Sequence, residues 1–308
     1  GVFTVFGTGN ATQVNTITAS INTALSSYGL LPADAVTLCR WLIGVAIALI
    51  LLLVLLGGIK RIGRVTERLV PFMALLYVVL ALGVVVLNAG RIPAVLGAIV
   101  TGAFSPMAVT GGAVGSFFTS MQKGVARGIF SNEAGLGTGS IAHACADTNN
   151  AVHQGMFGIF EVFMDTIVIC TLTALTIICS GVEIPFGTYV NAELISGAFA
   201  TIFGAKFANV FVALALALFA FTTVLGWALY GSRCAQYLFG LKFAKVYQAA
   251  FIAVIVVGAV AKLDVVWNIA DTFNGLMAIP NFFALFALSG VVVKLTKDYF
   301  FPDKAKLK

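Results

Sequence analysis

The sequence predicts an all-α membrane protein whose chain crosses the bilayer several times. Of its 308 residues, 60% are apolar and 10% are charged, and the mean hydropathy is +1.04. A soluble domain carries about 25% charged residues, so this composition excludes a soluble globular enzyme. The apolar residues form continuous runs instead of alternating with polar ones, which excludes a β-barrel. An apolar helix of about 20 residues spans the hydrocarbon core, so the whole chain is predicted to be one membrane-embedded unit.

The apolar runs define the elements in chain order. Residues 1–28 are polar and rich in small side chains, and they are interpreted either as the end of a span or as a surface helix. Residues 92–106 are too few to cross and predict a re-entrant or surface helix. Pro71 is expected in the first turn of its span, where a missing N–H costs least. The predicted crossings are 35–57, 69–88, 112–146, 154–180, 207–232, 247–261 and 269–293.

Basic residues set the predicted orientation. Most of the 18 Lys and Arg residues fall in three patches that read as loops or tail, at 60–68, 233–245 and 294–308. If the spans alternate, and 112–146 counts as a full crossing, all three patches lie on one side. The positive-inside rule assigns that side to the cytoplasm. The net charge of +6 is therefore attributed to topology, and no nucleic-acid partner is predicted.

The segment 112–146 is long enough to cross but unsuited to a continuous helix. It contains Gly124, Gly128, Gly135 and Gly137 and the run Ser131, Asn132 and Glu133, and Gly costs about 1 kcal/mol in a helix interior. Non-helical backbone at membrane depth is tolerated only beside protein or a water-filled cavity, so this break predicts a binding site. A glycine kink made for helix packing is the alternative. Glu133 is expected either to bind a cation or proton, or to pair with Arg127 or Lys123.

Other polar side chains lie in apolar surroundings. Thr223 and Trp227 are four residues apart and share a helix face, although a threonine hydroxyl can also bond back to its own helix. Asp165 needs a partner inside its span. Pro280 is expected to interrupt the last span with a kink. His143 and His153 lack ligands at metal spacing, so no metal other than a transported ion is predicted.

Four blocks of sequence together resemble the bacterial and archaeal alanine or glycine:cation symporters, also called sodium:alanine symporters. The blocks are GTGNATQVNTI, RGIFSNEAGLGTGSIAHACA, QGMFGIFEVFMDTIVICTLTALTI and ADTFNGLMAIPN. The resemblance extends over essentially the whole chain. It implies a leucine-transporter-type bundle of two inverted five-helix repeats, in which residues 1–308 supply helices three to ten. The first two helices of that fold are missing from the pattern, and we therefore expect that this chain does not transport alone.

The resemblance also implies function and site residues. It implies a symporter, not an enzyme, that imports alanine or glycine with Na⁺, in preference to H⁺, through the plasma (inner) membrane by alternating access. A channel without gradient coupling is the alternative. The sodium site is expected at Thr222 or Thr223. The implied substrate-binding residues are Gln13, Asn132, Glu133, Ala134, Gly135, Leu136, Gly137, Thr223 and Trp227.

Overall fold

A computed structural model describes residues 1–104, 113–185 and 192–302, and every regular element in these ranges is helical. Short π-helical segments, Gly7–Ala11 and Phe163–Cys170, join α1 to α2 and α8 to α9. The α-helices are α1 (Thr4–Phe6), α2 (Thr12–Ser27), α3 (Val36–Leu55), α4 (Gly58–Leu87), α5 (Ile92–Phe104), α6 (Ala113–Asn132), α7 (Thr138–His143), α8 (Ala151–Val162), α9 (Thr171–Ser180), α10 (Ala192–Phe203), α11 (Ala205–Gly258) and α12 (Leu263–Phe300).

Five helical stretches of the described chain are long and apolar enough to cross a membrane. They are Ala33–Leu55, Lys60–Leu87, Ala151–Ser180, Ala205–Gly258 and Val266–Phe300. Their outward faces carry large apolar side chains, such as Phe72 and Phe286, which are 60% and 79% exposed. Such a surface suits contact with lipid tails, and a soluble protein rarely exposes apolar patches of this extent. The predicted all-α, multi-pass architecture is therefore confirmed. The short helix predicted at 92–106 is present as α5, which ends at Phe104, and residues 105–106 lie outside the described residues.

The helix α2 is buried, so the interpretation of residues 1–28 as a surface helix is wrong. Polar side chains of α2 and of the π-helical segment before it bond to carbonyls near and just after the end of α11. Asn10 donates to the Phe251 carbonyl at 2.7 Å, and Asn15 donates to the Ala261 carbonyl at 2.7 Å. Buried polar groups need such partners, because an unpaired amide in an apolar interior costs several kcal/mol. The polar face of α2 thus holds it against α11 in the centre of the bundle.

The helix α4 begins before the predicted span. It starts at Gly58, so Pro71 lies in the helix interior and not in its first turn. The basic patch 60–68 forms the first turns of α4 and is not a loop, because Lys and Arg are good helix formers and their long stems cover apolar surface. The start of the segment predicted to cross at 112 lies outside the described residues.

The long helix α11 comprises two limbs that meet at Gly240, where the backbone leaves helical geometry (φ 83°, ψ 173°). Gln248 donates to the Ser232 hydroxyl at 3.1 Å across this point. Sixteen residues of straight helix would separate these side chains by about 24 Å, so the chain must fold back at Gly240. The chain therefore forms two helical limbs, 205–239 and 241–258, where the sequence predicted the separate crossings 207–232 and 247–261.

The helix α12 retains helical backbone through Pro280, so the expected interruption of the last span does not occur. A proline in a helix interior leaves one carbonyl without its usual donor, which here is the carbonyl of Leu276. Lipid-embedded helices tolerate proline where neighbouring groups adjust, and α12 meets its neighbour directly after this residue. That neighbour is the broken segment between α6 and α7.

Candidate substrate site at the helix break

The break predicted at Asn132–Gly137 is present. The helix α6 ends at Asn132, α7 begins at Thr138, and the residues between them carry left-handed backbone at Glu133 (φ 53°), Gly135 (φ 74°) and Gly137 (φ 82°). A left-handed conformation costs a non-glycine residue roughly 1–2 kcal/mol. Glu133 is the only non-glycine residue with positive φ in the described chain. A strained residue of this kind is typical of functional sites.

The helix α12 clamps the break from one side. Asn281 donates its side-chain N–H to the Gly135 carbonyl at 2.9 Å, and so satisfies a group that helical bonding has released. A Cβ at Gly135 would lie 2.9 Å from the Phe282 ring, and a Cβ at Gly137 would lie 2.8 Å from the Asn281 Oδ1. Both glycines are therefore required by backbone conformation and by space.

The π-helical segment after α8 holds the end of α6 from another side. Ser131 donates to the Asp165 carboxylate at 2.7 Å, and Thr166 donates to the Asn132 side-chain oxygen. These bonds supply the partner that Asp165 needs at membrane depth. A π-helical turn inside an α-helix frequently marks a functional site, and this one directs two polar side chains at the break.

A cavity of about 330 Å³ opens beside the break. Its lining carries the carboxyl groups of Glu133, Glu161 and Asp165, and His143 Nε2 lies 3.3 Å from Glu161. Within the described residues these groups do not converge into a metal site. The full lining is Ser131, Asn132, Glu133, Gly139, Ser140, Ala142, His143, Gly158, Glu161, Val162, Asp165 and Tyr230. The acidic, polar character of this cavity suits a small cationic or zwitterionic group.

The Glu133 side chain lies beside those of Thr138 and Trp227. The Thr138 hydroxyl is buried and makes no hydrogen bond of normal geometry. Most buried polar groups are paired, so an unpaired hydroxyl beside a break in the helix marks a place where a ligand group fits. Trp227 itself is 2% exposed and also contacts Gly9, whose added Cβ would lie about 2.0 Å from the indole.

Arg127 does not pair with Glu133. Its guanidinium forms an ion pair with Asp271 of α12 and stacks on the Trp267 ring, 4.4 Å from the centroid. The suggested Arg127–Glu133 pair is therefore not formed, and α6 is joined to α12 by charge as well as by the Asn281 bond. Guanidinium stacking of this kind is typical of arginine and is weaker for lysine.

The other predicted site residues occupy different surroundings. Leu136 is 3% exposed and packs in the core with Trp227, whereas Ala134 is exposed. Gln13 donates to the Thr8 carbonyl at 3.2 Å. Thr222 and Thr223 both donate to the Phe219 carbonyl, at 2.9 and 3.0 Å, which is the bonding to their own helix given above as the alternative. Their oxygens keep lone pairs that can accept a cation.

Of the residues that line the cavity, only Asn132 and Glu133 were among the predicted substrate-binding residues. Ser131 and Thr138 directly flank the predicted block, and Tyr230 lies one turn after Trp227, with ring centroids 5.7 Å apart. The i, i+3 spacing from Trp227 was the available signal for Tyr230. The adjacency of Thr138 to Gly137 was a signal in the sequence that it belongs to the site. That its hydroxyl makes no hydrogen bond is visible only in the structure.

The family model of the sodium:alanine symporters matches residues 1–308. The chain belongs to this family. Among its relatives, an uncharacterized transporter of Haemophilus influenzae is 42% identical over 96% of this chain and 62% of its own length. A sodium/alanine symporter of Methanococcus maripaludis is 40% identical over 97% of this chain and 63% of its own length. A probable sodium/glutamine symporter of Bacillus subtilis is 35% identical over 96% of this chain and 59% of its own length. The chain thus spans about three-fifths of these relatives.

Proposed function

We propose that this chain forms most of a Na⁺-coupled symporter that imports small neutral amino acids, alanine and glycine, by alternating access. In this proposal residues 1–308 are a single transmembrane unit, helices three to ten of a leucine-transporter-type bundle. The observation that carries the proposal is the left-handed backbone at Glu133, Gly135 and Gly137, which lies beside a polar cavity. Discontinuous helices of this kind place substrate sites near the bilayer midplane in secondary transporters.

The groups at the break match the two charged ends of an amino acid. The carbonyls released at the end of α6, together with Glu133, favour an ammonium group, because a helix C-terminus carries partial negative charge. The free N–H groups at the start of α7 and the unpaired Thr138 hydroxyl are donors for a carboxylate. Because α7 has only six residues, its individual N–H groups, and not a helix dipole, are the proposed donors to the carboxylate.

The size of the site favours a short side chain. Leu136 and Trp227, both nearly fully buried, stand directly against the break, and Gly135 and Gly137 are already in contact with α12. A methyl group or hydrogen fits such a site, while a branched side chain would have to displace packed groups at a cost of about 1–3 kcal/mol. Asn132 and Gln13 are proposed as further polar contacts of the substrate.

The sodium site is proposed at Thr222 or Thr223 of α11. Because each hydroxyl donates its hydrogen to the Phe219 carbonyl, its oxygen is oriented as an acceptor. Oxygen ligands are those that hard cations prefer. The basic patches 60–68 and 233–245 contribute side chains to one cavity, so they share one end of the bundle. We propose that this end, with the tail 294–308, faces the cytoplasm of a plasma (inner) membrane; residues 303–308 lie outside the described part.

The proposal is tested by uptake in proteoliposomes. Residues 1–308 replace the matching segment of the Methanococcus maripaludis symporter, and radiolabelled alanine uptake is measured with and without a Na⁺ gradient. We expect Na⁺-dependent, saturable uptake that falls at least tenfold in Asn132→Ala and Trp227→Ala. The matched control is Ser289→Ala on α12, whose exposed hydroxyl bonds only to its own helix and should leave uptake unchanged.

Each result has a distinct meaning. Uptake that ignores the Na⁺ gradient would reassign the coupling ion, and conductance without saturation would favour a channel. Normal uptake in both variants would place the substrate elsewhere. Leucine uptake equal to alanine uptake would overturn the size argument. Elution of the chimaera as a single monodisperse species on size-exclusion chromatography is required before uptake is interpreted.

A further inference from the structure

A second cavity, of about 430 Å³, lies between the α3–α4 turn and the two limbs of α11. Three basic side chains line it, from Lys60, Arg233 and Lys245, together with polar groups of Ser232, Gln236 and Gln248. Its volume falls within the range of ordinary small-molecule sites. It is separate from the helix break, since it shares no lining residue with the cavity beside Glu133.

The fold back at Gly240 assembles this cavity. Residues 229, 232, 233 and 236 occupy one face of the first limb, and residues 241, 244, 245 and 248 occupy one face of the second. Both sets follow the i, i+3, i+4, i+7 spacing of a helix face. The contact between Gln248 and Ser232 brings the two faces together, and thereby sets Lys245 on the same cavity as Arg233.

The positive charges of this cavity lack acidic partners. Its described lining contains no Asp or Glu, and neither ion pair of the described residues involves Lys60, Arg233 or Lys245. Arg233 donates to the Gln236 side chain at 3.0 Å, which neutralises none of its charge. Like charges around one cavity repel each other, and a bound anion reverses that interaction. A phosphate group offers acceptors for both the guanidinium and the ammonium groups.

The cavity opens onto an apolar, outward-facing surface. Leu241 lines it and is 69% exposed, and the neighbouring Leu238 and Phe239 are 60% and 59% exposed. Tyr237, on the same stretch, is 89% exposed, and Tyr is enriched where the apolar membrane meets water. A soluble anion makes no favourable contact with such an apolar surface, whereas a lipid needs a polar site for its headgroup and an apolar surface for its acyl chains.

We propose that this cavity binds one anionic phospholipid, with the headgroup phosphate between Lys60, Arg233 and Lys245 and the acyl chains along Leu238 and Leu241. Basic pockets between membrane helices are suited to anionic headgroups, because each nearby basic residue attracts the phosphate. The site is independent of the proposed transport activity. It would fasten the two limbs of α11 to the start of α4 at one end of the bundle.

The test uses the 308-residue chain in detergent and native mass spectrometry. Phosphatidylglycerol is titrated against the chain, with phosphatidylcholine and inorganic phosphate as separate arms. We expect one phosphatidylglycerol bound per chain, and binding at least tenfold weaker in the double variant Arg233→Gln/Lys245→Gln. The matched control, Lys294→Gln/Lys297→Gln at the end of α12, removes the same charge elsewhere and should change binding less than twofold.

The remaining outcomes overturn the proposal. Equal losses in the two double variants would indicate attraction to overall charge, and unchanged binding in both would place the lipid elsewhere. If phosphatidylcholine binds as tightly as phosphatidylglycerol, the negative charge of the lipid is not recognised. If inorganic phosphate binds as tightly as phosphatidylglycerol, the ligand of this cavity is a soluble anion and not a lipid.

Thermal unfolding without lipid checks that each variant is folded. Lys60→Gln is a milder second variant, with an expected three- to tenfold loss, and Lys245→Arg should retain binding.

Discussion

The two places where left-handed backbone interrupts a long helix differ in their surroundings. At Glu133–Gly137 the interruption is held by Asn281, Phe282 and Asp165, and the space around Gly137 is full. At Gly240 the φ is nearly the same as at Gly137, but ψ is 173° instead of 0°, and no atom lies within 4 Å of an added Cβ. A glycine with positive φ therefore belongs to a clamped site in one place and to an open turn in the other.

The cavities beside the two interruptions also differ in charge. Glu133, Glu161 and Asp165 line the first, whereas Lys60, Arg233 and Lys245 line the second. The presence of a glycine thus indicates only where the chain can bend. The neighbouring charges decide which ligand the bend can hold, and the packing decides how rigidly.

The largest expected effect comes from adding one methyl group at each interruption. Gly137→Ala should lower the free energy of unfolding by about 2–4 kcal/mol, because a left-handed alanine costs 1–2 kcal/mol and the clash with Asn281 adds about as much. Gly240→Ala carries only the backbone term, roughly 1–3 kcal/mol, because its φ and ψ lie in a region populated almost only by glycine. Chemical denaturation in detergent measures both. Equal losses would mean that packing does not distinguish the two places.

A second variant removes the clamp itself. Asn281→Ala deletes the bond to the Gly135 carbonyl and should cost about 1–3 kcal/mol, since that carbonyl is left without a donor. In the double variant Gly137→Ala/Asn281→Ala the clash is also removed, so the combined cost should be smaller than the sum of the single ones. If the costs of the two single variants are additive in the same denaturation experiment, the Asn281 side chain moves away from the added methyl group of Gly137→Ala without a loss of stability.

A third variant separates strain from function. Glu133→Asn keeps a polar side chain but suits left-handed backbone better, so the chain should gain up to about 1 kcal/mol of stability. Alanine uptake by the chimaera should nevertheless fall at least tenfold, because the carboxylate is lost. Glu133→Gln controls for the charge without relieving the backbone. Stability unchanged in Glu133→Asn would argue that the local backbone is not strained.

The smallest effect is expected at the ion pair between α6 and α12. A double-mutant cycle of Arg127→Gln and Asp271→Asn should give a coupling of about 0.5–1 kcal/mol, because both side chains are more than 30% exposed and solvent weakens the pair. Arg127→Lys should recover only part of it, since lysine stacks less well on Trp267. A coupling near zero in the denaturation measurements would leave Asn281 and Phe282 as the contacts that join α12 to the break.

Sequence reasoning succeeded where a local pattern carries the information. The break appears in Gly, Ser and Asn content, because these residues disfavour helix wherever they occur. The limbs of α11 follow from two apolar runs with charges between them. Sequence reasoning failed for Pro71 and Pro280, which lie inside continuous helices. Neighbouring helices compensate for a proline, and no local pattern shows those neighbours.

The partners of individual polar residues were less predictable than their positions. Asp165 was expected to need a partner, but Ser131, 34 residues earlier, could not be named from spacing. Arg127 was named as one of the possible partners of Glu133 because it is near in sequence, whereas the folded chain pairs it with Asp271, 144 residues away. Contacts at such separations depend on how helices pack, and a single sequence does not display that packing.

The sequence by itself determined that this chain is helical and membrane-embedded, that its helix breaks at Asn132–Gly137, and which family its motifs resemble. Apolar content and helix-breaking residues act locally, so one sequence is enough to read them. Only the tertiary structure decided that α12 clamps the break, that Thr138 is left without a partner, and that Lys60, Arg233 and Lys245 meet in one cavity. Those facts arise from contacts between distant segments, whose geometry is set by the packing of the whole bundle.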